Sequence, residues 1–171
     1  VPLDKEFEVS IEVPGYWYDF HERLKQTSWW SNASFDEYKP VKFFKYPYEG
    51  EGVPPALWPR VGYLVGVGWY KKEIEVPKDW AGKTVTMTIG GARVESFVFI
   101  NGLYAGYHFG HNTPFETDLT DHLEYGKTNC ITIAVSNLAP YINSCALRGF
   151  QSSAAGIHGN VVIHVSDGPG K

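Results

Sequence analysis

The sequence predicts an all-β domain, an antiparallel β-sandwich of jelly-roll type. Short segments in which apolar and polar residues alternate recur from residue 68 onward. The 18 glycines and 11 prolines favour many turns over long helices. No long amphipathic helical pattern occurs, which excludes a doubly wound α/β fold, because its parallel strands need helical crossovers.

About eight short strands account for this rhythm. The segment "TVTMTI" alternates cleanly and predicts that Val85, Met87 and Ile89 face the core. Lys72 is an exception, because it lies on the apolar face of the strand predicted for residues 69–77. Its ammonium group must either extend to water or pair with a carboxylate. Further predicted strands include residues 7–13, 69–77, 96–100, 103–109, 130–136 and 159–166.

Two features organise the middle of the chain. "SFVFI" (96–100) is apolar on both faces, as expected for a central strand covered on two sides. Asn101-Gly102 follows it and is the pair typical of a two-residue hairpin turn, since both residues tolerate positive φ.

Residues 14–66 do not follow the strand rhythm. This segment is long, irregular and rich in aromatic residues, and we interpret it as an ordered excursion over one part of the sandwich. A second loop, 137–156, separates the last two strands. We expect residues 1–171 to form a single domain, with 167–171 as the beginning of a linker.

Charge and hydropathy argue against several classes of binding partner. The formal net charge is −4 and no basic block occurs, which argues against nucleic acid or an anionic membrane as partner. No apolar run is long enough to span a bilayer, and the first residues do not resemble a signal peptide. Cys130 and Cys145 could be bridged or remain reduced, and the sequence leaves both states open.

Residues 68–137 resemble the N-terminal sugar-binding domain of glycoside hydrolase family 2 enzymes. The similarity rests on motifs in the same order and spacing: Trp69-Tyr70, Pro77 with Trp80-x-Gly82-Lys83, Val98-x-x-Asn101-Gly102, Gly106, Pro114-Phe115-x-x-Asp118-Leu119-Thr120, and Asn129 to Asn137. Gly156-Ile157-x-Gly159-x-Val161 resembles the closing strand of that family, although His158 and Asn160 replace the usual aromatic residue and arginine. Trp80 is expected to pack.

The resemblance implies a jelly roll of the galactose-binding-domain type with the long aromatic-rich excursion before its main strands. It also implies that catalysis belongs to a separate (β/α)₈ barrel, so no residue of this chain is expected to be catalytic. The expected partners are carbohydrate and other domains of the same polypeptide. A secreted or periplasmic location follows only from the polysaccharide substrates usual for the family.

Carbohydrate-binding candidates lie in the two long loops. Sugars stack their C–H faces on aromatic rings and hydrogen-bond planar polar groups. In the first loop these candidates are Trp29, Trp30, Asn32 and Trp58; in the second they are Tyr141, Asn143 and Arg148. Alternatively, the tryptophans anchor an irregular loop to the sandwich, and Arg148 forms an interdomain salt bridge or stays exposed.

His108 and His111 flank a strand end. Zinc needs three or four convergent ligands, and two histidines followed by carboxylates are a weak signal, so we expect no metal and keep both histidines as sugar-binding candidates. No cofactor is expected, although the resemblance is compatible with a structural calcium ion held by oxygen ligands. Asp118 and Thr120 are interpreted as turn formers that accept local backbone N–H bonds.

These observations predict a non-catalytic sugar-binding domain of a family 2-like glycoside hydrolase, of β-galactosidase, β-glucuronidase or β-mannosidase type. It would help to shape the substrate site of the adjacent barrel. Two alternatives remain: a self-sufficient carbohydrate-binding module, and a structural module that docks other domains. The sequence does not choose the sugar or the linkage.

Overall fold

The computed structural model describes residues 1–3, 7, 9–17, 67–110, 112–136 and 156–168. Eight β-strands and one short 3-10 turn (Lys78–Trp80) lie within these residues. The strands are β1 (Val67–Glu75), β2 (Lys83–Ile89), β3 (Ala92–Ile100), β4 (Leu103–Gly110), β5 (Phe115–Asp118), β6 (Thr128–Ser136), β7 (Gly156–Ile157) and β8 (Val161–Asp167).

Two antiparallel sheets form a β-sandwich, as predicted. The larger sheet has the order β1-β6-β3-β4, and the two-residue β7 pairs with the start of β3. The smaller sheet has the order β5-β2-β8. No helix in the described part of the chain is long and apolar enough to cross a membrane.

The core lies between the inner faces of the sheets. Val85, Met87 and Ile89 of β2 are fully buried, which confirms the face that the alternation predicted. They join a single buried cluster with β3 and β6 residues such as Val98 and Ile133. Burial of this apolar surface is the main favourable term in folding.

Two expectations outside the central core, for Trp80 and Lys72, are also met. Trp80 is partly buried and packs against the core from its 3-10 turn. Lys72 is exposed, so its charge reaches water from the apolar side of β1. Ile163 and Val165 of β8 pack against the core. Val161 of the same strand is 38% exposed, because it lies at the beginning of an edge strand.

The β3–β4 hairpin turns at Asn101-Gly102. Their φ angles are 51° and 82°, so both residues occupy the left-handed region, as the Asn-Gly pair predicts. The register shifts between Val98 and Phe99, where β4 has one extra residue. In the order of the larger sheet, β3 lies between β4 and β6, which confirms it as a central strand.

The strand predicted for residues 7–13 is absent from the described residues of that segment. Residues 7 and 9–13 have no assigned strand, although Val9 packs against the core and exposure still alternates from Val9 to Glu12. Alternation selects the side chains that face inward, but a strand also needs the backbone of a neighbouring strand. The prediction was wrong because the sequence pattern contains no information on that neighbour.

Ser96 offers a test of core packing. Its side chain is fully buried on β3, and its Oγ has no hydrogen-bond partner in the structure of the described residues. An unpaired buried hydroxyl costs about 1–3 kcal/mol. We expect Ser96→Ala to leave the free energy of unfolding unchanged or to raise it by about 1 kcal/mol. Urea denaturation measures this change.

Ser166→Ala is the matched control, because Ser166 is an exposed serine of β8 and its replacement should change stability by less than about 0.5 kcal/mol. A loss of more than 1 kcal/mol on Ser96→Ala, roughly the value of a satisfied hydrogen bond, would show that the hydroxyl is paired in solution.

Candidate carbohydrate-binding site

The two long loops of the sequence begin and end at one end of the sandwich. Within segments 18–66 and 137–155 nothing is described, but four described residues bound them: Trp17, Val67, Ser136 and Gly156. Val67 pairs with Ser136 in the β1–β6 ladder, and Trp17 contacts Gly156. We call this region the loop end. Trp17 also packs against Gly68, the neighbour of Val67, and Ser136 and Gly156 pair with Glu95 and Arg93 of β3, so each segment starts and returns at neighbouring positions.

Trp17 occupies a space that two glycines leave open. A Cβ on Gly68 would lie 2.6 Å from Cζ2 of Trp17. Gly156 has a φ of +124°, and a Cβ there would lie 2.8 Å from the carbonyl oxygen of Gly15. Both positions need glycine so that the tryptophan and the incoming backbone can approach the sheet.

Tyr70 holds Trp17 in this position. The indole Nε1 donates a hydrogen bond of 2.8 Å to the Tyr70 hydroxyl, which also accepts one of 3.4 Å from the backbone N–H of Ile157. Burial raises the pKa of Tyr70 to about 12, although both hydrogen bonds oppose this increase. The neutral phenol thus links the N-terminal segment, β1 and β7 at the loop end.

Eight of the nine predicted sugar-binding residues lie outside the described residues. These are Trp29, Trp30, Asn32, Trp58, His111, Tyr141, Asn143 and Arg148. Their assignment to a sugar site stays a prediction. Seven of them belong to the two segments bounded at the loop end, and His111 follows β4.

His108 is described, and it packs. Its ring stacks on Phe115 of the opposite sheet, with the ring centroids 4.2 Å apart and the planes 8° from parallel. Its Nε2 lies 3.2 Å from the Thr113 hydroxyl, and desolvation lowers the pKa of the imidazole. The histidine is therefore biased toward its neutral form, and its role in sugar binding stays a prediction.

Asp118, the last residue of β5, stabilises the turn that follows this strand. Asp118 accepts a 2.9 Å hydrogen bond from the Thr120 backbone N–H, and hydrogen bonds from Thr120 lower the pKa of this carboxyl. The turn role of Asp118 is confirmed. Thr120 differs from the expectation, because its hydroxyl accepts from the distant Val85 N–H at 3.0 Å. The described residues contain no cluster of three metal-binding side chains.

Cys130 is a free, half-buried thiol on β6. Its Sγ lies 3.7 Å from the Thr132 hydroxyl. Cys145 lies outside the described residues. Among the described residues, no disulfide bond to Cys130 is present.

The outer side of the larger sheet carries a group of aromatic residues that the sequence analysis did not single out. Ring contacts connect Trp69 to Phe99 (5.7 Å between centroids), Phe99 to Tyr104 (6.0 Å) and Phe97 to Tyr107 (5.0 Å). With Phe109, these six residues are called the aromatic face. The phenylalanines of "SFVFI" were the available signal, since they make β3 apolar on both sides.

These rings cover the middle of the sheet. Thr132 and Ala134 of β6 are 1% and 3% exposed, although they lie on the outer side. Trp69 and Phe99 come from the two strands that flank β6 and meet above it. The inner face of β3 is covered by the core, and its outer face is covered by aromatic side chains of neighbouring strands in the same sheet.

The two antiparallel sheets and their strand order define the chain as a β-sandwich of jelly-roll type. The chain belongs to the family described as glycosyl hydrolases family 2, sugar binding domain, whose sequence model matches residues 7–166. This match confirms the resemblance found in the sequence motifs.

Longer proteins named as glycosidases are among the similar proteins. The β-glucuronidase of Canis lupus familiaris is 35% identical over 153 residues, which cover 82% of this chain and 23% of that enzyme. The β-galactosidase of Thermoanaerobacter pseudethanolicus (strain ATCC 33223 / 39E) is 36% identical over 104 residues, which cover 60% of this chain and 14% of that protein. The chain thus spans less than a quarter of the length of either relative.

A solved structure supports the fold. The structure of a β-glucuronidase from glycoside hydrolase family 2 matches with a TM-score of 0.53 and 30% sequence identity. The match covers 62% of this chain and 12% of that one.

Proposed function

We propose that this chain is the non-catalytic sugar-binding domain of a family 2 glycoside hydrolase, and that it helps to shape the substrate site of an adjacent (β/α)₈ barrel. The observation that carries the proposal is the family match over residues 7–166. In addition, the chain covers only 14% and 23% of the length of the two relatives compared. Their names are β-glucuronidase and β-galactosidase, so β-glucuronides and β-galactosides are the proposed substrate classes. A secreted or periplasmic enzyme fits such substrates.

The loop end is the part of the domain that we propose to face the substrate. Both segments that contain the predicted aromatic and polar candidates are bounded there by Trp17, Val67, Ser136 and Gly156. Indole rings would stack on the C–H faces of a pyranose, and amides would accept or donate to its hydroxyls. Arg148 would bind a carboxylate such as that of a glucuronide through its two parallel N–H groups.

Arg148→Ala in the polypeptide that carries the barrel is the direct test. We expect kcat/KM for an aryl β-glucuronide to fall about tenfold or more, because hydrogen bonds to a charged group contribute about 1.5–3 kcal/mol. An aryl β-galactoside, which has no carboxylate, should lose less. Lys72→Ala is the control, since Lys72 is an exposed cation on β1. Equal kinetics for wild type and Arg148→Ala on both substrates would contradict a substrate contact and favour a docking role.

A self-sufficient carbohydrate-binding module is the second candidate, favoured by the description of the family as a sugar-binding domain. It requires that glycans change the tryptophan fluorescence of the isolated chain and that Trp29→Ala or Trp30→Ala abolishes the change. A flat response across a broad glycan panel would eliminate this candidate without affecting the first one.

A further inference from the structure

The aromatic face is uncovered along one strand. Tyr104, Tyr107 and Phe109 of β4 are 57%, 48% and 46% exposed, although each packs on the outer side of the larger sheet. Among the described strands, β4 lies at one edge of that sheet. The three rings therefore form a row at the sheet edge. From Tyr104 to Phe109 the row lies opposite Phe99 to Glu95 of β3, four residue steps, and extends about 13 Å at the usual rise of about 3.3 Å per residue.

Planar polar groups lie beside the row. The Tyr107 hydroxyl donates a 3.1 Å hydrogen bond to Oε1 of Glu95, in a pair that faces solvent. Near the end of β4, Arg93 donates from Nε to Oδ1 of Asn112 over 3.2 Å, also at the surface. A carboxylate and a guanidinium of β3 and an amide that follows β4 thus lie beside the three rings of β4.

This combination matches the chemistry of a pyranose. Its C–H faces are apolar and lie on aromatic rings, while its hydroxyls donate to carboxylates and accept from amides and guanidinium groups. We propose that the row along β4 binds an extended glycan chain, at a surface distinct from the loop end. Tyr104 and Tyr107 supply the stacking platforms, and Glu95 supplies the main hydrogen-bond acceptor.

The size of the row favours a glycan over a protein partner. A fully buried aromatic side chain covers about 150–250 Å², so three rings that are each about half exposed offer roughly 300 Å². A stable protein interface needs about 800 Å² on each partner. The register shift beside Phe99 also interrupts β4 as a template for pairing with the edge of a second copy.

The test is native affinity electrophoresis of the whole chain in gels that contain one soluble polysaccharide each: mixed-linkage β-glucan, xylan, galactan, galactomannan or heparin. We expect retardation by at least one neutral polysaccharide. Tyr104→Ala and Tyr107→Ala should each raise the dissociation constant about tenfold, the usual effect of removing an aromatic anchor. Tyr107→Phe keeps the ring and should retain most of the affinity.

Leu103→Ala is the matched control, because Leu103 is 65% exposed on the same strand but has no ring. Its migration should equal that of wild type, and near-ultraviolet circular dichroism should show that every variant is folded. Three electrophoresis results would overturn the proposal: no retardation by any polysaccharide, equal losses for Leu103→Ala and Tyr107→Ala, or retardation that only Trp29→Ala removes. Sedimentation that reveals a dimer dissociated by Tyr107→Ala would overturn it in favour of a second copy. None of these results bears on Arg148, so the proposed function is tested separately.

Discussion

Replacing Asn129 with alanine is expected to lower the free energy of unfolding by about 3 kcal/mol or more. The side chain is 1% exposed and lies at the start of β6. Its Oδ1 accepts from Nδ2 of Asn101 at 2.8 Å and from the Glu124 N–H at 2.7 Å. Its Nδ2 donates to the carbonyls of Glu124 and Lys127 at 2.8 and 3.0 Å.

The cost is large because one amide satisfies four partners at once. Alanine would leave the Glu124 N–H and the Glu124 carbonyl without this partner, whereas the Lys127 carbonyl keeps its hydrogen bond from the Val76 N–H at 3.0 Å. Each orphaned buried group costs about 1–3 kcal/mol. It would also release Asn101, whose Oδ1 accepts from the Cys130 N–H at 2.9 Å. The hairpin turn and the loop before β6 would therefore loosen together.

Two variants sharpen this test, which is measured by urea denaturation followed by tryptophan fluorescence and circular dichroism. Asn129→Asp keeps the shape but turns a donor into an acceptor, so it should also destabilise because an oxygen then faces the two carbonyls. Asn160→Ala replaces an exposed asparagine and should change stability by less than about 0.5 kcal/mol. A loss below 1 kcal/mol for Asn129→Ala would show that the network is not formed as described.

Trp17→Ala is expected to cost about 3–5 kcal/mol, the range for removing a buried tryptophan or phenylalanine. Trp17 is 3% exposed and belongs to the core cluster. Its removal would leave a cavity over Gly68, and the Tyr70 hydroxyl would lose its indole donor. Thermal and urea unfolding measure the loss.

Trp17→Phe separates packing from hydrogen bonding. Phenylalanine fills part of the space but has no N–H, so its cost should fall between those of wild type and Trp17→Ala. Tyr70→Phe removes the hydroxyl that accepts from both Trp17 and Ile157, and it should cost about 1–3 kcal/mol. A Trp17→Ala variant as stable as wild type would mean that the N-terminal segment does not pack on the sheet in solution.

The strand alternation was readable from the sequence because it is local. The inward residues of β2 and the Asn101-Gly102 turn depend on side-chain polarity and φ preference within a few residues. The order of the motifs indicated the family, because the hairpin, the turn at Asp118 and the closing glycines have the spacing that is typical of it. The predicted strand at residues 7–13 failed because local alternation does not supply a neighbouring strand.

Other features depend on which strands become neighbours. Trp69 and Phe99 are 30 residues apart, and they meet because β6, from much later in the chain, separates β1 from β3. The loop end likewise depends on the pairing of Val67 with Ser136.

The sequence by itself therefore determined the fold class, the hairpin and the family of this protein, because short-range periodicity and turn chemistry express them directly. Only the tertiary structure decided that Asn129 joins four partners, that Trp17 fills the space over Gly68, and that three rings of β4 form one exposed row. The physical reason is register: backbone hydrogen bonds between distant strands decide which side chains share a surface, and no single segment contains that information.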